Sequence, residues 1–86
     1  MSRLKLEIVT PEQPIVVAEV DEVIIPGANG EFGVLPEHTT FLTQLGEGAL
    51  TYRQGTGHKK LTISGGFCEV RQNHVTVLAD VAKALQ

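Results

Sequence analysis

A handful of side chains in this chain are of the kinds that do chemistry. Cys68 is the sole cysteine and follows Gly66-Phe67 in an alternating, strand-like run. A thiol becomes a nucleophile only as the thiolate, which takes a neighbouring base or a positive field. The run around Cys68 supplies neither, so it reads as a buried, inert cysteine. Ser64 precedes two glycines, but it does not sit in Gly-x-Ser-x-Gly and no strand-to-helix elbow follows. It reads as a strand end at a sharp turn. His38, His58 and His74 lie far apart, with no cysteine or carboxylate at ligand spacing. Zinc needs three or four converging ligands, so these read as solvated turn histidines. Asp21 and Glu22 are adjacent, and strand alternation would send them to opposite faces, which denies them an acid–base partnership. Lys59-Lys60 would suit a swinging-arm carrier, yet the pair enters an alternating run and does not occupy a hairpin tip between acids. Gly27-x-x-Gly30-x-x-Gly33 lacks the spacing, the Lys-Ser/Thr ending and the following helix of a phosphate cradle. The expectation is no catalytic residue, no cofactor-binding residue and no metal ligand.

What remains is shape. Ile24-Ile25-Pro26-Gly27-Ala28-Asn29-Gly30-Glu31-Phe32-Gly33-Val34-Leu35-Pro36-Glu37-His38 is punctuated by glycines that tolerate positive φ. Asn29-Gly30 is the dipeptide favoured in a two-residue hairpin turn. Pro26 and Pro36 end the apolar runs on either side, since proline cannot donate to a ladder. The segment predicts a stiff hairpin whose tip carries Glu31 beside Phe32. An acid on a rigid loop is a means of specific docking; the alternative is a solvated turn acid.

Bulk properties agree with an ordinary folded domain. The 86 residues are 42% hydrophobic and 20% charged, enough for one domain with a small core. A net charge of −3 argues against nucleic acid, whose binders are usually basic. No apolar run reaches the roughly 20 residues of a membrane-spanning helix. The start, Met-Ser-Arg-Leu-Lys-Leu, goes straight into alternation, so a secretory leader is not expected. A single cysteine fits a reducing compartment, most simply the cytoplasm.

The elements that must position these residues are strands. Leu4, Leu6 and Ile8 face one way and Arg3, Lys5 and Glu7 the other. Residues 15–25 shift their apolar phase at Glu19–Glu22, which predicts a bulge or two strands. Turns are expected at Pro11–Pro14, Gln54–Gly57, Ser64–Gly66 and Gln72–Asn73. The fold class is therefore all-β: a flattened antiparallel sandwich or barrel of about ten short strands in two sheets. Residues 80–86 read differently. Asp80 can cap, and Ala82, Lys83, Ala84 and Leu85 are helix formers, so the start of a C-terminal helix is expected there, cut short after about two turns. That divides the chain into a β-sandwich at 1–79 and a truncated helical start at 80–86.

Five blocks of the chain closely resemble the N-terminal β-sandwich domain of the epsilon subunit of F-type ATP synthase. They are Leu6–Glu12, Ile25–Pro36, Leu42-Thr43, Ile63–Val70 and Asn73–Asp80, in one order and at consistent spacing. The resemblance covers essentially the whole chain. It implies a non-catalytic rotor part at the foot of the central stalk, between the gamma subunit, the c-ring of the membrane sector and the rest of the catalytic head. It implies a location on the cytoplasmic face of the bacterial plasma membrane, held peripherally through the complex. The glycine-rich hairpin would face the c-ring, with Gly27, Asn29, Gly30, Glu31 and Phe32 as contacts. Thr10, His38 and Thr43 would approach gamma.

Two departures from that family stand out. Pro36-Glu37-His38-Thr39-Thr40 replaces the usual Pro-Gly-His-Ala-Pro, so a positive φ at Glu37 would be strained. The family also usually continues into a helical hairpin used for inhibition and, in some members, ATP binding; neither activity is expected of these residues. The competing readings are a stand-alone ligand-binding or carrier sandwich using Lys59 or Lys60, and a small hydrolase using Ser64 or Cys68 with a histidine.

Overall fold

Alternation governs the chain from end to end. The computed structural model describes residues 3–84, and they form eight strands: β1 Leu4–Val9, β2 Pro14–Val20, β3 Glu22–Gly27, β4 Gly30–Val34, β5 Phe41–Gln44, β6 Glu47–Gln54, β7 Gly57–Arg71 and β8 His74–Ala84. Their hydrogen-bonded order is β2-β1-β8-β7-β6-β3-β4, with β5 also on β7. The phase shift between Glu19 and Glu22 marks the passage from β2 to β3 through a bend at Asp21.

The two sheets of a sandwich are here one sheet folded over. β7 pairs with β6 through Gly57–Ser64 and with β5 through Phe67–Val70, while β8 accompanies it along both halves. The fold-over lies at Gly65-Gly66, whose φ values are 70° and 109°. A Cβ on Gly66 would lie 1.9 Å from Leu78 O, so only glycine lets the strands cross so closely. One layer holds β2, β1, the first half of β8, the second half of β7, and β5. The other holds β4, β3, β6 and the remaining halves of β7 and β8. The turn expected at Ser64–Gly66 is this fold-over, and it does not split β7: the ladder with β8 carries the strand through, so long strands replace several short ones. The sheet is not a closed barrel. Nor is it wholly antiparallel: β1 and β8 pair in parallel from Lys5–His74 to Val9–Leu78.

The helix expected over 80–86 does not form over 80–84, which belong to β8; residues 85 and 86 lie outside the described residues. Val81 pairs with Ser64, Ala82 with Ile63, Lys83 with Thr62 and Ala84 with Leu61. A short stretch of helix formers has weak intrinsic preference, and a ready ladder partner overrides it. The sheet thus runs past residue 79, where a domain boundary was expected.

The core is a single apolar cluster between the layers. Leu4, Leu6 and Ile8 of β1 meet Val23, Ile25, Leu50, Ile63, Val70, Val75 and Val77, all fully buried. Among the described residues no polar side chain is buried. Fully burying each such aliphatic side chain contributes roughly 1.5–3 kcal/mol, which offsets the ordering entropy of so small a chain.

Candidate functional site

The residues that could do nucleophilic chemistry are held apart. Cys68 is fully buried in the core phase of β7, opposite Thr43 and Val77. Burial, with the Glu69 charge beside it, pushes the Cys68 thiol up to about 12, so it is not a thiolate near neutrality. The Ser64 hydroxyl donates to Glu47 Oε2 at 3.4 Å and has no histidine partner. Lys59 and Lys60 sit within β7, opposite Tyr52 and Thr51, and the tip of that hairpin is Gly55-Thr56. No cluster of three His, Cys, Asp or Glu side chains forms among the described residues.

Asp21 and Glu22 do converge, contrary to the alternation argument, because Asp21 lies in a bend and escapes the strand phase. Arg53 reaches Asp21 at 3.7 Å and Glu22 at 3.6 Å. Asp21 also accepts from Gly55 N at 2.6 Å and from Arg3 Nε at 3.1 Å. The Gly55 N–H first, and then the charge of Arg3, hold the Asp21 carboxyl below the usual carboxylate range. This cluster ties three chain segments together through arginine–carboxylate pairs.

The hairpin is present, one residue out of the expected frame. Gly27 pairs with Gly30, so Ala28 and Asn29 form the turn and Gly30 closes it at φ 128°. Gly27 and Gly33 do not take positive φ. Gly27 is needed for closeness instead: a Cβ there would lie 2.7 Å from Gly30 O. Pro26 lies inside β3, not at its end. Its carbonyl accepts from Gly46 N at 2.9 Å, and its missing N–H falls where the pairing of β3 with β6 has already stopped. Ala28 N donates to Gln44 O at 2.9 Å, which bolts the tip to the end of β5.

Of the five hairpin residues singled out from sequence, Asn29, Gly30 and Glu31 are exposed together at the tip. Gly27 is half-buried and bridges to Leu45. Phe32 turns away from Glu31, as strand alternation demands, and meets Phe41 edge-on at 5.2 Å. Phe41 in turn lies 6.1 Å from His38, whose Nδ1 donates to Thr39 O at 2.7 Å. Phe32 and His38, assigned from sequence to two different surfaces, therefore belong to one aromatic cluster.

A second surface emerges from strand register. Residues paired across a sheet share a face, so the outward face of the layer containing β1 can be read in rows. Glu19, Lys5, His74 and Arg71 form one row, and Val17, Glu7, Thr76, Glu69 and Leu42 the next. Val9, Leu78, Phe67 and Gln44 form the third. Leu42, Phe67 and Leu78 are 68%, 52% and 53% exposed. A groove lined by Val9, Thr10, Pro11, Gln44, Phe67 and Leu78 ends this face. Thr10 thus lies at the face, with its hydroxyl closing the turn to Gln13 O at 3.1 Å. Thr43 sits at its edge but in the inward phase, paired with Cys68, while Leu42 and Gln44 point outward.

Residues 3–84 match the family described as ATP synthase, Delta/Epsilon chain, beta-sandwich domain. The chain belongs to that family. An ATP synthase epsilon chain of Maridesulfovibrio salexigens is 48% identical over 82 residues, 95% of this chain and 58% of the relative. One of Solibacter usitatus is 49% identical over 80 residues, 93% of this chain and 60% of the relative. The chain therefore spans about three fifths of the length of these relatives. A chain in the solved Euglena gracilis mitochondrial ATP synthase, an OSCP/F1/c-ring assembly, superposes with a TM-score of 0.91 at 26% identity, covering 98% of this chain and 54% of that one. A chain of the Tetrahymena thermophila mitochondrial ATP synthase, central stalk and c-ring, shares the fold, with a TM-score of 0.79 at 12% identity over 94% of this chain and 66% of that one.

Within this delta/epsilon-chain domain, sequence reasoning singled out the hairpin tip and Thr10 as contacts and did not single out Val9, Leu42, Phe67 and Leu78, which the fold brings together on one outward face. A signal for them existed. Phe67 shares its strand phase with Glu69 and Arg71, and Leu78 shares its phase with His74 and Thr76. A large apolar side chain in the polar phase of an alternating strand marks a face that another surface covers.

Proposed function

We propose that this domain is a non-catalytic part of the central stalk of an F-type ATP synthase, joining the gamma subunit to the c-ring beneath the catalytic head. The Val9–Leu78–Phe67 row with Leu42 is the surface that docks on gamma, with Thr10 at its end and Thr43 at its edge, while His38, which the resemblance also assigns to gamma, packs on Phe41 in the cluster with Phe32. Asn29, Gly30 and Glu31 are the tip that meets the polar loops of the c-ring, with Gly27 and Phe32 fixing that tip from behind. The complex sits at the membrane peripherally, on the cytoplasmic face in a bacterium. No helix among the described residues is long and apolar enough to cross a membrane.

One observation carries this reading: an exposed apolar row and a bolted hairpin tip stand on a single tightly packed body. A part that passes rotation between two partners needs two contact surfaces that hold a fixed relation, and interiors packed at near-crystalline density resist deformation. The test is binding of purified gamma to this chain by titration calorimetry. Leu78→Asp places a charge in the middle of the row and should weaken binding by roughly 30-fold or more, the scale of a buried hot spot, with the melting temperature held. Equal binding by wild type and Leu78→Asp would refute this docking face.

A further inference from the structure

Beside the apolar row, the same face carries a charged half whose balance one proton decides. His74 Nε2 lies 2.6 Å from Glu7 Oε1, with the two side chains 42% and 31% exposed. His74 is flanked directly by Lys5 of β1 and Arg71 of β7. Glu19 of β2 faces Lys5, and Glu69 of β7 stands opposite Thr76 next along β8. Arg3, the cation just before β1, is held by Asp21 at 3.1 Å. Around His74 stand the carboxylates Glu7, Glu19 and Glu69 and the cations Lys5 and Arg71, while Glu37, from the loop before β5, is hydrogen-bonded to the neighbouring Asn73 at 2.6 Å. Carboxylates outnumber the fixed cations here, and an imidazolium at His74 reduces that excess by one charge.

We propose that docking of a protein partner on this face takes up a proton at His74, held against Glu7. The inference rests on the docking reading above. Covering the face removes water from Glu7. A carboxylate beside a neutral ring is costly to desolvate, whereas a carboxylate hydrogen-bonded to an imidazolium is a compensated pair. Histidine is the side chain that makes this exchange near physiological pH. Binding therefore strengthens as pH falls, and the stabilisation is lost as pH rises and the proton leaves. A single linked proton limits the effect to tenfold in affinity per pH unit.

The experiment is calorimetric titration of this chain with purified gamma from pH 6 to pH 8.5, in buffers of differing ionisation enthalpy. Wild type should take up protons on binding and lose affinity toward high pH, approaching tenfold per unit over part of the range. His74→Gln, which cannot titrate, should bind with a flat profile and no buffer-dependent heat. Glu7→Gln removes the carboxylate partner of the ring and should abolish the uptake while leaving His74 in place. Circular dichroism and melting of both variants establish that the sheet is intact. Flat binding by wild type, or a slope unchanged in His74→Gln, overturns the proton coupling but leaves the docking face standing. No binding at any pH overturns both.

Discussion

Glu37 holds φ at 70°, a conformation that costs an ordinary residue roughly 1–3 kcal/mol. The sequence flagged this position as strained because glycine is usual there in the family. What it could not show is the remedy. Glu37 N donates to Asn73 Oδ1 and Asn73 Nδ2 donates to Glu37 Oε2, each at 2.6 Å. Asn73 is itself at φ 62°, and with Gln72 at 49° it makes the type I′ turn of the β7–β8 hairpin. Two locally unfavourable residues thus fix each other across 36 positions of chain. Asn73→Ala should destabilise by about 1–3 kcal/mol in urea unfolding, and by less in a Glu37→Gly background where the strain is gone. Equal losses in both backgrounds would show that the clamp carries no coupling. Asp21 gives a second prediction at this scale. Its folded carboxyl titrates below the unfolded one, so its contribution is fully present above the usual aspartate range near pH ~4 and is lost as pH falls through the folded value. Asp21→Asn should be less stable at neutral pH, and the gap between its melting temperature and that of wild type should close toward pH 2.

Among the elements, those with long-range apolar alternation were legible and those decided by a partner strand were not. β1 could be read from Leu4, Leu6 and Ile8 alone, and the β2–β3 break from the phase shift at Glu19–Glu22. The parallel pairing of β1 with β8 leaves no mark in sequence, because alternation is the same in either direction. The end of β8 was misread for a related reason: Ala82-Lys83-Ala84 is locally helical in preference, and only the free edge of β7 beside it makes it a strand. The candidate surfaces divide in the same way. The hairpin tip announces itself through local turn chemistry, whereas the proposed docking face is assembled from rows across four strands. The fold-over also tests at this scale. Gly66→Ala should destabilise by about 3 kcal/mol or more, since its Cβ meets backbone that cannot swing aside. Gly30→Val should cost less, about 1–2 kcal/mol, because its site is open and only the φ of 128° opposes a side chain. The reverse order, read from denaturant midpoints, would mean that the layers are joined elsewhere.

On the scale of the whole molecule, the two proposed contact surfaces are separable. Glu31 stands exposed on the hairpin tip, with no ion pair among the described residues, while the docking row lies on the other layer. Glu31→Lys should therefore lower proton pumping per ATP hydrolysed in reconstituted vesicles, with gamma affinity within about threefold of wild type, the scale of a remote surface charge. Normal pumping would make Glu31 a solvated turn acid. The placement of the first and last strands has a mechanical consequence. β1 and β8 lie side by side and run the same way, bonded over the five pairs from Lys5–His74 to Val9–Leu78. A pull applied through the two ends of the described chain would strain all of those bonds at once, in shear, and could not peel them singly as it would a hairpin. Stretched from its ends, this small domain should give way abruptly at a high force, set by the shearing apart of its first and last strands at the middle of the sheet.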